Sequence, residues 1–257
     1  MRERVYRIEA VIVRRSDFGE ADRLLTIITP QGKRRVVAKG ARKTNSRLAG
    51  HIELFTHTTL LLAVGRNLDI VTQSAILHSF DRLRGDLRRI GAAYYAAELI
   101  DRLTAEEDEN RPAFALLVAT LAALDTTRNV DLVLRFYELH LLGYQGYRPQ
   151  IYHCAACQEP LTEEADRFSL TAGGVLCPRC APTDRAAIPM SLNAFKLLRF
   201  VQAQPLEAIE RLNISPAVRA EAEQLLRAYI RRILERDLKS VAFLEEINTP
   251  FQSSHKE

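Results

Sequence analysis

Four cysteines stand in two pairs, Cys154-Ala-Ala-Cys157 and Cys177-Pro-Arg-Cys180, with 19 residues between the pairs. A Cys-x-x-Cys step sets two thiolates on one side of a tight turn. Two such knuckles facing each other complete the four-sulfur shell of a tetrahedral Zn2+ site. A redox dithiol and a degenerated site without metal are the competing readings of such pairs. Four sulfurs leave no open coordination position, so one zinc held by Cys154, Cys157, Cys177 and Cys180 would be structural rather than catalytic. Gly173-Gly174 supplies the turn of a short hairpin that would bring the knuckles together, and His153, beside an already complete shell, reads as a surface residue.

A second stretch bears charge rather than thiols. KRRVVAKGARKTNSRLAG, residues 33–50, holds Lys33, Arg34, Arg35, Lys39, Arg42, Lys43 and Arg47 without a carboxylate. Cations this dense repel one another, so either solvent screens them or a polyanion compensates them. The rest of the chain favours the polyanion. Residues 1–80 carry 14 Lys/Arg against 7 Asp/Glu, and residues 81–257 carry 22 against 25, so a basic N-terminal module precedes a near-neutral body. Arg14, Arg15 and Arg23 extend the same surface. The module's aromatics are Tyr6, Phe18, Phe55 and Phe80, none of them within residues 31–50. Contact with a nucleic acid would then be mainly to phosphates, leaving base edges free to pair.

The elements that must position these groups follow from periodicity. Tyr6–Arg14, Arg23–Thr29, Lys33–Lys39, Glu53–Val64 and Leu68–Leu77 are short, β-branched-rich runs closed by turn signals such as Pro30-Gln31-Gly32 and Gly65-Arg66-Asn67. Turns rather than helices join them, which predicts a small barrel of the oligonucleotide-binding (OB) type, with an SH3-like barrel as the alternative. After Phe80 the period changes to three and four. It predicts helices over 81–104, Phe114–Leu124 with Pro112 at the first helical position, Val130–Leu142, 191–203 and 216–239. The fold class is α+β and multidomain: an N-terminal OB-fold β-barrel at 1–80, an α-helical domain in two parts at 81–149 and 183–245, an inserted four-cysteine, zinc-finger-like subdomain at 150–182, and a flexible tail at 246–257.

No catalytic signature is present: no Gly-rich phosphate loop, no His-Glu-x-x-His and no nucleophile elbow. The six histidines are scattered, and the pairs Glu98/Asp101 and Glu245/Glu246 read as solvated helix faces. The chain is accordingly read as a non-enzyme. MRERVYR leads into no apolar stretch, so no secretory leader is expected, and runs such as Leu60–Val64 and Ala113–Val118 fall short of the ~20 residues that span a bilayer. A cytoplasmic chain without membrane contact is expected, where reducing conditions favour metal ligands over disulfides.

EAVIVRRSDFGEADRLLTIITPQGKRRVVAKGARKTNSRLAG followed by FTHTTLLLAVGRNLDIVTQSAI resembles the N-terminal barrel of the bacterial recombination mediators of the RecO family. The most specific parts are Asp17–Asp22, Ala38–Arg42 with Ser46–Gly50, and Leu141–Pro149 before the knuckles. The resemblance implies binding of single- and double-stranded DNA, annealing of complementary strands and association with RecR. It also implies contact with the C-terminal tail of single-strand-binding protein, indirect help to RecA in loading on coated DNA, and a nucleoid-associated place in the cytoplasm. On that basis Arg14, Arg15, Lys33, Arg34, Arg35, Lys39, Arg42, Lys43 and Arg47 are the candidate DNA contacts. A zinc-containing RNA- or ribosome-associated module with the same barrel is the alternative function.

Overall fold

The computed structural model describes residues 4–248. The chain forms two compact units, one running up to Thr126 and resuming at Leu238, the other spanning Thr127–Asp237.

The first unit begins with five strands: β1 Val5–Phe18, β2 Asp22–Thr29, β3 Gly32–Ala38, β4 His57–Ala63 and β5 Asp69–His78. They close into a barrel in the order β1-β2-β3-β5-β4, with β1 antiparallel to both β2 and β4. The closing seam is the short parallel contact of Val36 and Val37 with Asp69 and Ile70. Alternation along each strand sends Ile8, Ala10, Ile12, Leu25, Ile27, Val36, Leu60 and Leu62 into the interior. β1 reaches four residues beyond the predicted Arg14, since the register of Asp17 with Arg23 and of Phe18 with Asp22 carries the hairpin to its tip. The fourth strand starts later than Glu53, because Phe55 takes a left-handed backbone (φ 64°) and residues 53–56 form a turn.

The helix expected over 81–104 is two helices, α1 Asp81–Arg84 and α2 Leu87–Leu103. The break falls at Gly85-Asp86, where the Asp86 carboxylate accepts from the Arg89 amide and caps α2. α3 runs Arg111–Thr126, with the Asn110 side chain accepting from the Ala113 amide at its start.

In the second unit, α4 covers Val130–Tyr144, β6 Arg167–Ser169, β7 Gly174–Leu176 and β8 Ile188–Pro189, followed by α5 Leu192–Ala203, α6 Leu206–Glu210 and α7 Pro216–Leu234. The helix expected over 216–239 stops at Leu234 because Glu235 turns left-handed (φ 55°). Buried Arg135 and Glu138 on α4 pair with each other, and Arg135 also reaches Glu223 on α7 at 3.4 Å. α8, Lys239–Asn248, returns to the first unit and lies against α2. The expected tail therefore begins inside a helix, and residues 249–257 lie outside the described residues. No helix among the described residues is long and apolar enough to cross a membrane.

Candidate metal centre and nucleic-acid surface

The two knuckles meet because the backbone at Gln150 is stitched to β7. Gln150 donates to the Gly173 carbonyl (3.0 Å) and accepts from Val175 (2.8 Å). Only glycine fits this crossing at residue 174: a Cβ there would lie 2.3 Å from the Gln150 carbonyl oxygen. Gly173 takes φ 73°, the left-handed turn that starts β7. The first knuckle is then tied to the strand by Ala155 N–H donating to Val175 O (2.9 Å), and the second closes through Cys180 and Ala181 amides on the Cys177 carbonyl, both at 2.9 Å. Phe168 on β6, opposite Val175 of β7 in the register, is fully buried and 5.6 Å edge-on from Tyr229.

The outcome is four Sγ atoms within 4.8 Å of one another, from Cys154, Cys157, Cys177 and Cys180. Cys157 and Cys177 sulfurs are 3.8 Å apart, too far for a disulfide and equal to the edge of a tetrahedron built on Zn–S bonds of ~2.3 Å. Burial pushes the Cys154 thiol up, but the amides of Cys177, Cys157 and Ala156 outweigh it and bring the group down to about 6. Hydrogen bonds to Cys157 and Cys177 hold Cys180 up at about 12. The Cys180 amide likewise lowers the Cys177 thiol, so Cys154 and Cys177 are the sulfurs readied to bind a divalent cation as thiolates. The cluster could hold a metal ion, and its donor set suits zinc. His153 is exposed and outside it.

The basic stretch divides in the fold. Lys33, on β3, is tied down: its ammonium lies 3.2 Å from the Asp101 carboxylate and donates to the Asp101 carbonyl at 2.6 Å, with both side chains under one-fifth exposed. Arg34 lies opposite Ile27 in the register, on the interior side of the barrel. It donates to the Tyr6 hydroxyl (3.3 Å), which in turn bonds to Asp69, and its Nε is buried without a partner among the described residues. Burial first, and then that bond to Asp69, push the Tyr6 phenol up to about 12. Arg35 reaches Glu106 (2.9 Å) and Arg42 reaches Asp17 (3.3 Å), both on exposed pairs. Arg15 pairs with Glu53, and Arg23 with Asp17 at 3.4 Å.

Arg14, Lys39, Lys43 and Arg47 remain. All four are exposed and have no ion partner among the described residues. Lys39, Lys43 and Arg47 share the loop that leaves β3, and that loop is pinned to the β1–β2 hairpin by the Gly40 amide on Asp22 (2.7 Å) and the Arg42 amide on the Ala21 carbonyl (2.9 Å). Arg14 stands opposite Thr26, which stands opposite Arg35, so these three share one cross-strand row. Of the four aromatics, Phe55 and Phe80 are buried, Tyr6 is half-buried and Phe18 is exposed at the hairpin tip.

Residue types alone missed the counter-ions. Asp101 and Glu98 are not a solvated pair: Asp101 holds Lys33, and Glu98 accepts from the Lys239 amide (3.1 Å) and the Ser240 amide (2.8 Å) and hydroxyl (2.7 Å). No local signal marks the contacts with Lys33 and with the start of α8, because those partners lie 68 or more residues away in sequence; only the pairing of Glu98 with Arg102 is local.

A unit with a barrel and an exposed basic loop, and a helical unit with four clustered cysteines, define a two-part chain with a candidate anion-binding face and a candidate metal centre. The family model described as Recombination protein O N terminal matches residues 1–80, and that described as Recombination protein O C terminal matches residues 84–242. A DNA repair protein RecO from Roseiflexus sp. (strain RS-1) is 65% identical over 254 residues, covering 99% of this chain and 90% of its own length. Its namesake from Dehalococcoides mccartyi (strain ATCC BAA-2266 / KCTC 15142 / 195) is 38% identical over 244 residues, covering 95% and 96%. The one from Desulforamulus reducens (strain ATCC BAA-1160 / DSM 100696 / MI-1) is 33% identical over 245 residues, covering 95% of each. The chain belongs to the RecO family of DNA repair proteins.

Proposed function

We propose that this chain is a non-catalytic DNA-binding mediator that anneals complementary strands without nucleotide. The observation that carries the reading is the loop cluster of exposed Lys39, Lys43 and Arg47, with Arg14 on the barrel face, none of which has a carboxylate partner among the described residues. The closed five-stranded barrel supports reading the first unit as an OB module, whose loops and strand face serve as nucleic-acid grips. Cations aimed at phosphates screen the repulsion between two strands and leave base edges exposed, which is the physical requirement for annealing. Arg35 and Arg42 join them readily, because exchanging so exposed a carboxylate for a phosphate costs no more than ~1 kcal/mol. Lys33, tied to Asp101 on α2, and Arg34, turned into the barrel, serve the fold.

The four-cysteine cluster holds one structural Zn2+ in this reading, through Cys154, Cys157, Cys177 and Cys180; the ion supplies a cross-link and no chemistry. Membership of the family supports the remaining assignments: single- and double-stranded DNA as ligands, RecR and the tail of single-strand-binding protein as partners, RecA loading as the outcome, and a place in the cytoplasm at the nucleoid.

The test mixes labelled complementary strands, bare or coated with single-strand-binding protein, without nucleotide and at low and high salt. Duplex should form faster than in the protein-free control, most of all at low salt. An unchanged rate with DNA binding confirmed would leave passive binding only, and tighter binding to matched RNA than to DNA would favour the RNA-associated module.

A further inference from the structure

The first unit holds a cavity of about 660 Å3 walled by β1, α2 and α8, within the ~300–1,000 Å3 range of small-ligand sites. Its floor is apolar, with Val13, Tyr94 and Phe243 among the lining side chains. Tyr94 is 41% exposed, yet its ring is braced edge-on by Phe55 at 4.9 Å and Phe243 at 6.2 Å. A braced, open aromatic ring is a platform for a planar guest. The rim is cationic: Arg14, Arg102 and Lys239 line it, and Arg14 and Lys239 have no ion partner among the described residues. The two acids in the wall are already engaged, Asp101 by Lys33 and Glu98 by the start of α8 and by Arg102 at 3.8 Å.

A flat apolar guest carrying negative charge satisfies this combination, and Arg14 is also one of the exposed barrel cations with no ion partner among the described residues. We propose that the cavity takes one unpaired nucleobase of a single strand, stacked on Tyr94, with the flanking phosphates on Arg14 and Lys239. This subsite rests on the nucleic-acid reading above and adds a discrimination that phosphate binding lacks. A base inside a duplex must be unstacked and unpaired before it enters, so the cavity favours a single strand, while Lys39, Lys43 and Arg47 grip either form. One anchored base leaves the rest of the strand free to pair.

The experiment uses the full wild-type chain and a short single strand carrying 5-iododeoxyuridine, irradiated and mapped by mass spectrometry, with an adduct expected on Tyr94 or Phe243. In parallel, an abasic strand with the same number of phosphates should bind roughly tenfold more weakly than the intact one. Tyr94→Leu should remove that difference while leaving the salt dependence unchanged. Should this variant fold poorly, the wild-type adduct and the abasic comparison decide. Adducts confined to residues 39–47, with equal affinity for both strands, would overturn the subsite and spare the phosphate reading; failure to bind either strand would overturn both. Occupation by free deoxyadenosine monophosphate, read as full competition for the Tyr94 adduct at equal nucleotide concentration, would overturn the strand subsite and assign the cavity to a mononucleotide.

Discussion

The cysteine knuckles and the basic stretch both crowd groups that repel one another once ionised, and the fold treats them in opposite ways. The four sulfurs are turned toward one another within 4.8 Å, where a single cation would resolve their repulsion. The seven cations are spread: Lys33 is tied to Asp101 on α2, Arg34 is drawn into the barrel, Arg35 and Arg42 are given exposed carboxylates, and Lys39, Lys43 and Arg47 are left open to solvent. Convergent like groups mark a site that closes around an ion. Divergent ones mark a surface that waits for an extended anion.

The sharpest way to break this contrast is to remove the metal. The purified chain should carry about one zinc, and Cys177→Ser should unfold the segment around residues 150–182, because structural zinc supplies ~10–16 kcal/mol of apparent folding free energy. Metal analysis and limited proteolysis read the two effects, and well-folded protein without zinc would end the comparison. Next in size is the joint replacement of Lys39, Lys43 and Arg47 by Gln, expected to lower the slope of log K against log salt by about 2 for single strands, at ~0.7 for each phosphate no longer neutralised. An unchanged slope would reduce the loop to solvated charge. Lys33→Gln sharpens the division within the run: it should cost ~1.5–3 kcal/mol of stability by removing the charged hydrogen bonds to Asp101, read in denaturant, while the salt slope stays put.

The smallest effect concerns Glu98. Burial pushes its carboxyl up, but the hydrogen bonds from Ser240 and Lys239 together with the Arg102 guanidinium outweigh it and hold the group below the usual carboxylate value. A carboxylate depressed in the folded state stabilises above its unfolded value, and that contribution fades as pH falls through the folded one. The thermal midpoint of the wild type should therefore drop more steeply below about pH 4.5 than that of Glu98→Gln. Parallel curves would show that α8 does not depend on this charge.

The cysteine knuckles were legible because everything they need is local: two short spacings and a Gly-Gly turn. Strand positions were legible too, since alternation is a property of the run itself. The fates of the cations were not, because Asp101, Glu106 and Asp17 come from other elements and carry no mark of their partners. Among the helices, the break at Gly85-Asp86 had its signals in the open, a small residue followed by a capping acid, but the apolar period runs across it from Leu83 to Leu87 and masked them. The break at Glu235 had none, since a glutamate gives no sign of a left-handed turn. α6 is five residues long and too short to show a period.

α8 docks so closely on α2 that a Cβ at Gly91 would come within 2.9 Å of Leu244. Yet residues 104–238, 135 in all, separate Leu103, where α2 ends, from Lys239, where α8 begins. During synthesis at ~5–20 residues per second, the α2 groove stays bare for on the order of ten seconds after it leaves the ribosome, while the entire second unit is being made. The first unit is thus the earliest to start and the last to finish, and chains halted before Lys239 should be cut by protease within α2 where completed chains resist.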